Sequence, residues 1–270
     1  MDLRQSPQYA NYLSQLGWVV EKINGNYIYL KKIPLLGYFA KIQRPPHPIK
    51  PSDITNLKKK YKVFRIVVEP LSPIPDRIKQ VTPYLPTKTL VIDLTPSEKE
   101  IVAGFAKDVQ RAIAKLPITN FSTKGGSASG GQFSTTATQT EIVGFHQVWR
   151  RAVPWTRYVP SLKNLLALKK SFEKDCLLIT NDNKCGVVFL IADKTLYYYL
   201  AWSNKKISHT ADMYRLVWEG IRWGRSRGCT KFEFEGIFDD RFPNKSWLGF
   251  SHFKSRFGGQ EVSYPGCYLL

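Results

Sequence analysis

Phe250, Phe253 and Phe257 fall at i, i+3 and i+7, with Lys254 and Arg256 between them. On a helix this spacing gives an aromatic stripe flanked by cations. Rings of this kind stack on bases and cations meet phosphates, so the stretch is a candidate for nucleic-acid contact as well as for a core with a basic rim. The other reactive residue types are arranged less pointedly. His47, His146 and His252 have no metal-ligand spacing, and Cys176, Cys185, Cys229 and Cys267 are far apart with no CxxC pair. Zinc and a disulfide framework are not expected, and a reduced intracellular chain fits that cysteine usage. Asp93 ends a strand-like run, where it could act as a base but is expected to cap the next helix, and Asp239-Asp240 could touch an amine of a substrate but reads as a solvated turn. The stretch TKGGSASGGQFSTTATQT carries no Gly-x-x-x-x-Gly-Lys phosphate loop.

Lys and Arg number 40 against 21 Asp and Glu, a formal charge of +19. Such an excess points to a polyanion: nucleic acid, an anionic membrane surface or phosphorylated substrates. A generic basic surface is the plain alternative. Aromatic content of 13% is that of a globular chain. No apolar run approaches the roughly 18 residues a membrane span requires, and no signal peptide is expected.

The elements that must position these residues are clearly punctuated. Residues 3–17 suggest a short helix, followed by strands at Trp18–Ile23, Tyr27–Ile33 and Gly37–Ile42, the first two joined by an Asn-Gly turn. Lys41 and Arg44 end the third strand before a proline run. A helix is expected over Ser52–Lys60 and strands over Val63–Glu69 and Leu90–Leu94. Ser97 with Glu100 forms a capping box that opens a long helix. Residues 123–140 read as a flexible Gly/Ser/Thr junction between domains 1–122 and 141–270.

The second half predicts a helix at Glu141–Ala152, a loop carrying Arg157 and Tyr158, another helix, and strands at Cys176–Thr180, Gly186–Ala192 and Thr195–Trp202. Tyr214, Val217, Trp218 and Ile221 then mark a helix over Ala211–Arg227, N-capped by Ser208 or Thr210 and ended by Gly228. A strand at Lys231–Glu235, a helix at Trp247–Phe257 and a last strand at Glu261–Tyr264 complete the order.

The runs WEGIRWGRSRGCTKFEFEGI and GFSHFKSRFGGQEVSYPG resemble the C-terminal signature of the Fem family (FemABX), bacterial aminoacyltransferases that build peptidoglycan cross-bridges. GYFAKIQRPPHP and the TLVIDL segment, with Lys107 and Arg111 downstream, extend the likeness. The resemblance implies an α/β fold with mixed sheets, arranged as two GNAT-like acyltransferase halves of which the first is degenerate. It implies an aminoacyltransferase moving an amino acid from aminoacyl-tRNA to the stem-peptide amine of a peptidoglycan precursor, UDP-linked or lipid-linked. No Q/R-x-x-G-x-G/A loop precedes Ala211 or Ser97, which argues against coenzyme A, and no cofactor is expected.

By resemblance, Lys254 and Phe253 support catalysis and meet the tRNA end, with Arg256 on tRNA phosphates. Arg157 and Tyr158 clamp the acceptor's diphosphate, Lys41 and Arg44 supply opposing charge, and Tyr214 and His209 complete the substrate-binding set. His209 departs from the tyrosine and proline common at its place in the family. A cytoplasmic monomer is expected, attracted to the inner membrane face by its charge. An acyltransferase using another donor, and a non-catalytic basic RNA-binding protein, are the alternatives.

Overall fold

A computed structural model describes residues 1–73, 78–114, 131–134 (backbone only) and 138–270. In chain order the elements are α1 (Pro7–Gln15), β1 (Val19–Ile23), β2 (Asn26–Ile33), β3 (Gly37–Gln43), α2 (Pro51–Tyr61), β4 (Val63–Glu69), β5 (Gln80–Val81) and β6 (Lys88–Asp93). There follow α3 (Glu98–Ala103), α4 (Lys107–Ile113), β7 (Gly131–Ser134), α5 (Gln139–Ala152), α6 (Leu162–Phe172), β8 (Cys176–Asn181), β9 (Cys185–Ala192) and β10 (Thr195–Ser203). The chain closes with α7 (Thr210–Ser226), β11 (Lys231–Glu233), α8 (Leu248–Ser255), β12 (Gln260–Ser263) and β13 (Cys267–Leu269).

The chain forms two compact units. One contains Met1–Thr89, Gly236–Leu248 and Val262–Leu270; the other contains Leu90–Glu235 and Gly249–Glu261. These differ from the expected division at 123–140, because α3, α4 and most of β6 pack with the second unit while the C-terminal strand joins the first. Part of the expected junction is ordered as well: β7 pairs antiparallel with β8, and Thr138 and Glu141 form a capping box that opens α5. The rest of that stretch lies outside the described residues.

In the first unit the sheet order is β1-β2-β3-β4-β13-β5. Asn24 and Gly25, at φ 49° and 82°, supply the two left-handed residues that a tight hairpin demands between β1 and β2. Period-two alternation then sorts the side chains. Ile28, Leu30, Ala40, Ile42, Ile66 and Val68 pack with Leu57 of α2, whereas Tyr29 on the opposite face stacks edge-on against Tyr9 of α1. From β3 the chain crosses through α2 to β4, which lies parallel to β3, and β13 adds antiparallel on the far side.

The second unit repeats the plan: an antiparallel meander β8-β9-β10, a crossing helix α7, a strand β11 parallel to β10, and β6 antiparallel beyond it. Its sheet order is β12-β6-β11-β10-β9-β8-β7. Every residue of β9 is buried, as a strand covered on both faces requires. Gly220 and Gly224 let α7 lie close to the sheet: a Cβ on Gly220 would fall 2.2 Å from Phe189 Cζ, and one on Gly224 2.7 Å from Leu196 Cδ2. Gly228, at φ 78°, ends α7 as expected.

Three local expectations are corrected. The long helix after Ser97 is two short ones, α3 and α4, parted at Gly104–Ala106 because the Ala106 N–H donates to the Arg256 carbonyl at 2.8 Å instead of into a helical turn. α7 starts after His209, not Ser208 or Thr210; the Asp212 carboxylate accepts from the His209 N–H at 2.9 Å. β11 stops at Glu233, since Glu235 and Gly236 at φ 57° and 113° turn the chain away.

Candidate active site

In the second unit the ladder between β10 and β11 lasts three residues, Thr195↔Lys231 to Tyr197↔Glu233. β10 then runs on along β9 to Ser203, with a bulge between Tyr198 and Leu200. The extra residue changes which face each side chain takes. Leu196 and Tyr198 turn toward α7, where the Tyr198 hydroxyl lies 3.7 Å from Met213 Sδ, while Trp202 packs against Phe145 of α5. The two parallel strands therefore part, and a backbone carbonyl at the parting needs a new donor.

Lys254 supplies it. Its Nζ donates to the Phe234 carbonyl at 2.7 Å, from a side chain 6% exposed. The ammonium lies 5.5 Å from the centre of the Tyr198 ring and 5.1 Å from that of Phe250. Burial brings its pKa down to about 7, with Glu235 and Glu233 pulling the other way. An amine in that range at neutral pH is equipped to donate to a developing oxyanion or to exchange a proton with an attacking amine.

Beside it, Phe253 stacks on Tyr214 at 5.2 Å and 10°. The Tyr214 hydroxyl donates to Asp108 of α4 at 3.0 Å, and Arg256 donates to the same carboxylate through Nε and Nη2, at 3.1 and 2.7 Å to Oδ1. These hydrogen bonds, from Arg256 first, hold Asp108 down at about 2; burial, and then the hydrogen bond to Asp108, raise Tyr214 to about 12. Phe257 touches Phe105, Tyr214, Phe234 and Phe253, so one ring joins the link between α3 and α4, α7, the residue after β11, and α8. Sequence reasoning missed Asp108, whose neighbours Lys107 and Arg111 drew attention to positive charge. It also missed Tyr198, because nothing in Tyr-Tyr-Tyr shows which ring sits at the bulge. Arg256, expected on tRNA phosphates, is held in a fork by Asp108.

The remaining candidates are distributed through both units. Arg157 and Tyr158 are exposed on the loop after α5, next to Trp155, which is 95% exposed. His209 is exposed at the start of α7. In the first unit Lys41 lies 4.6 Å from the Trp18 ring centre, and burial brings its pKa to about 8, Glu69 opposing. Arg44, expected at an open strand end, is instead buried: it donates to the Pro86 carbonyl at 2.6 Å and stacks 3.3 Å from the Tyr264 ring centre. Asp239 is no solvated turn; it is buried, accepting from Thr87 at 2.6 Å and Arg241 at 2.8 Å. All four cysteines are buried and free, and burial raises each thiol to about 12, which makes them poor nucleophiles. Among the described residues no group of His, Cys, Asp and Glu is arranged to hold a metal ion, and no helix is long and apolar enough to cross a membrane.

Residues 170–270, which carry β8 to β13 and most of this cluster, match the FemAB family. No curated protein matches the sequence. Among solved structures, FemX is similar over 99% of this chain and 92% of its own, with a TM-score of 0.75 at 12% identity. The C-terminal DUF2156 domain of a putative lysylphosphatidylglycerol synthetase from Agrobacterium fabrum is similar over 99% of this chain and 88% of its own (TM-score 0.58, 12% identity). L-PGS from Bacillus licheniformis matches over 96% and 85% (TM-score 0.58, 12% identity). The C-terminal stretch from β8 to β13 is thus similar to the FemAB family, and the chain as a whole shares the mixed α/β fold of FemX.

Proposed function

We propose that the protein is an aminoacyltransferase that carries an amino acid from aminoacyl-tRNA to the stem-peptide amine of a peptidoglycan precursor. The observation that supports this most is the buried Lys254 amine at the parting of β10 and β11, within the stretch that matches the FemAB family. In the reaction the acceptor nitrogen attacks the ester carbonyl carbon. A C–N bond forms, the ester C–O bond breaks, and the terminal ribose hydroxyl departs with a proton, the attacking nitrogen losing one. The intermediate carries an oxyanion. Lys254, already oriented by the Phe234 carbonyl, donates to it; Tyr214, Phe253 and the Asp108–Arg256 pair hold α8 in place. A prepositioned donor of this kind contributes on the order of a hundredfold or more in rate.

Phe253 and Arg256 are assigned to the tRNA end, one as a ring for stacking and the other as a cation for phosphate. Arg157 and Tyr158 in the second unit are assigned to the acceptor's diphosphate, and Lys41 in the first unit is a separate proposed substrate contact. Tyr214 and His209 are the remaining proposed substrate contacts. Arg44, with its fork on backbone carbonyls, is given a positioning part instead.

The assay is transfer from charged tRNA to a UDP-linked or lipid-linked precursor. Product formation that falls about a hundredfold in Lys254→Met supports the reading; full turnover in the variant removes Lys254. The exposed Trp155 and Tyr158 among arginines favour a second reading, a non-catalytic RNA-binding protein. That reading predicts salt-sensitive RNA binding with no product.

A further inference from the structure

The turn between β2 and β3 presents the most exposed large apolar side chains on the first unit. Leu35 is 107% exposed and Leu36 62%. The turn is closed by the Leu36 N–H on the Ile33 carbonyl, with Pro34 second and Leu35 third at φ 65°. That third place asks for glycine, and a branched side chain held there is strained. A leucine that is both strained and fully in water gains nothing from the fold.

Its surroundings are basic. The Tyr38 N–H donates to the Lys62 carbonyl, the Tyr38 and Tyr61 rings meet at 5.4 Å, and Lys62 ends α2 at φ 50°. The turn therefore adjoins the end of α2 and the start of β4, where Lys58, Lys59, Lys60 and Lys62 follow one another and Phe64 is a third exposed apolar side chain. Lys32 is exposed on β2 beside the turn. The carboxylate of Glu21 is held by Lys60 and Tyr61, so the net sign of this edge is positive.

We propose that the β2–β3 turn and the adjoining end of α2 dock on an anionic phospholipid bilayer, with Leu35 and Leu36 entering the interface and Lys32, Lys59 and Lys62 meeting lipid phosphates. Aliphatic tips ringed by lysines suit that partner: the leucines add buried apolar area and each lysine adds attraction to a negative surface. RNA is the other polyanion, but Leu35 and Leu36 have no face on which a base stacks. The inference goes beyond the transfer reaction and does not depend on it.

Vesicle co-sedimentation of the whole chain tests it, with phosphatidylglycerol-containing vesicles against pure phosphatidylcholine. The wild type binds the anionic vesicles and releases them as salt rises. The double substitution Leu35→Gly and Leu36→Ser weakens binding by on the order of tenfold or more, while thermal stability holds or rises because the strained turn gains its glycine. Lys59→Glu with Lys62→Glu also weakens it, most at low salt. Absence of vesicle binding, equal binding to both vesicle types, or leucine variants that bind like wild type would overturn the proposal. So would a loss of tRNA affinity in the leucine variants without a loss of vesicle affinity, which would reassign the surface to RNA.

Discussion

Both units are built from a meander, a crossing helix and a parallel strand, yet they treat the parallel pair oppositely. In the first, β3 and β4 stay paired from Tyr38↔Val63 to Gln43↔Glu69, and the Arg44 N–H adds a further bond to the Glu69 carbonyl. Side chains lock the end: Gln43 Nε2 donates to Glu69 at 2.8 Å, and the same carboxylate accepts from the Tyr84 and Leu85 N–H groups. In the second, β10 and β11 part after three residues, and a lysine amine takes the place of a strand. The topology thus repeats while the polar contents differ: a closed pair completes its hydrogen bonds locally, and an open one brings an ionisable group into the sheet. That difference explains why candidate chemistry concentrates in the second unit.

The closed pair is the easiest to break. Glu69→Ala strands one buried donor, Gln43 Nε2, and two part-buried ones, the Tyr84 and Leu85 N–H groups, and should cost about 3 kcal/mol in urea unfolding, given roughly 1–3 kcal/mol for a buried group left unpaired. Next in size is the close approach of α7 to the sheet around the open pair. Gly220→Ala improves helix propensity by roughly 1 kcal/mol but drives a methyl into Phe189. A net loss of about 1–3 kcal/mol is expected from overpacking, and a net gain would show that α7 does not lie as close as described.

The open pair has a signature in pH. Lys254 titrates near 7 in the folded chain, against 10.5 in the unfolded one. Between these values the unfolded chain holds more protons, so this group makes stability rise as pH rises from about 7, and below that its burial is fully unfavourable. Wild type should show this rise over Lys254→Met; parallel stability curves would place the amine in water. Asp108 also makes stability rise with pH, but in an acid window and as a favourable contribution. Its carboxyl is held at about 2, below its ordinary 3.8, chiefly by Arg256. The contribution is complete above the ordinary value and is lost as pH falls from there toward 2. Asp108→Asn should remove that acid dependence with a cost of less than about 1 kcal/mol at neutral pH, as for half-exposed ion pairs generally.

Much of the fold was legible because the local signals and the tertiary outcome agree. The NGN turn, the Ser97–Glu100 box, the alternating strands and Gly228 each act through neighbours in sequence, and their elements fall within a few residues of expectation. What failed depends on distant partners. No local feature shows that the Ala106 N–H will find the Arg256 carbonyl, or that residues 236–248 and 262–270 pack with residues 1–89. The short strands β7 and β13 owe their existence to β8 and β4. At the site, the Phe-Lys pair was visible as a motif, but its burial beside Tyr198 was not, since the bulge that opens the strands leaves no mark in the sequence. Asp108 was hidden for the same reason: its meaning comes from Arg256, far along the chain.

The central claim is that the Lys254 amine, set where β10 and β11 part, supports amide formation from a charged tRNA. Single-turnover transfer from aminoacyl-tRNA to a peptidoglycan precursor, compared between wild type and a folded Lys254→Met variant, tests it most directly. The account predicts product from the wild type and a rate about a hundredfold lower in the variant, with tRNA still bound. Equal rates in the two proteins, or no product from either, would contradict it.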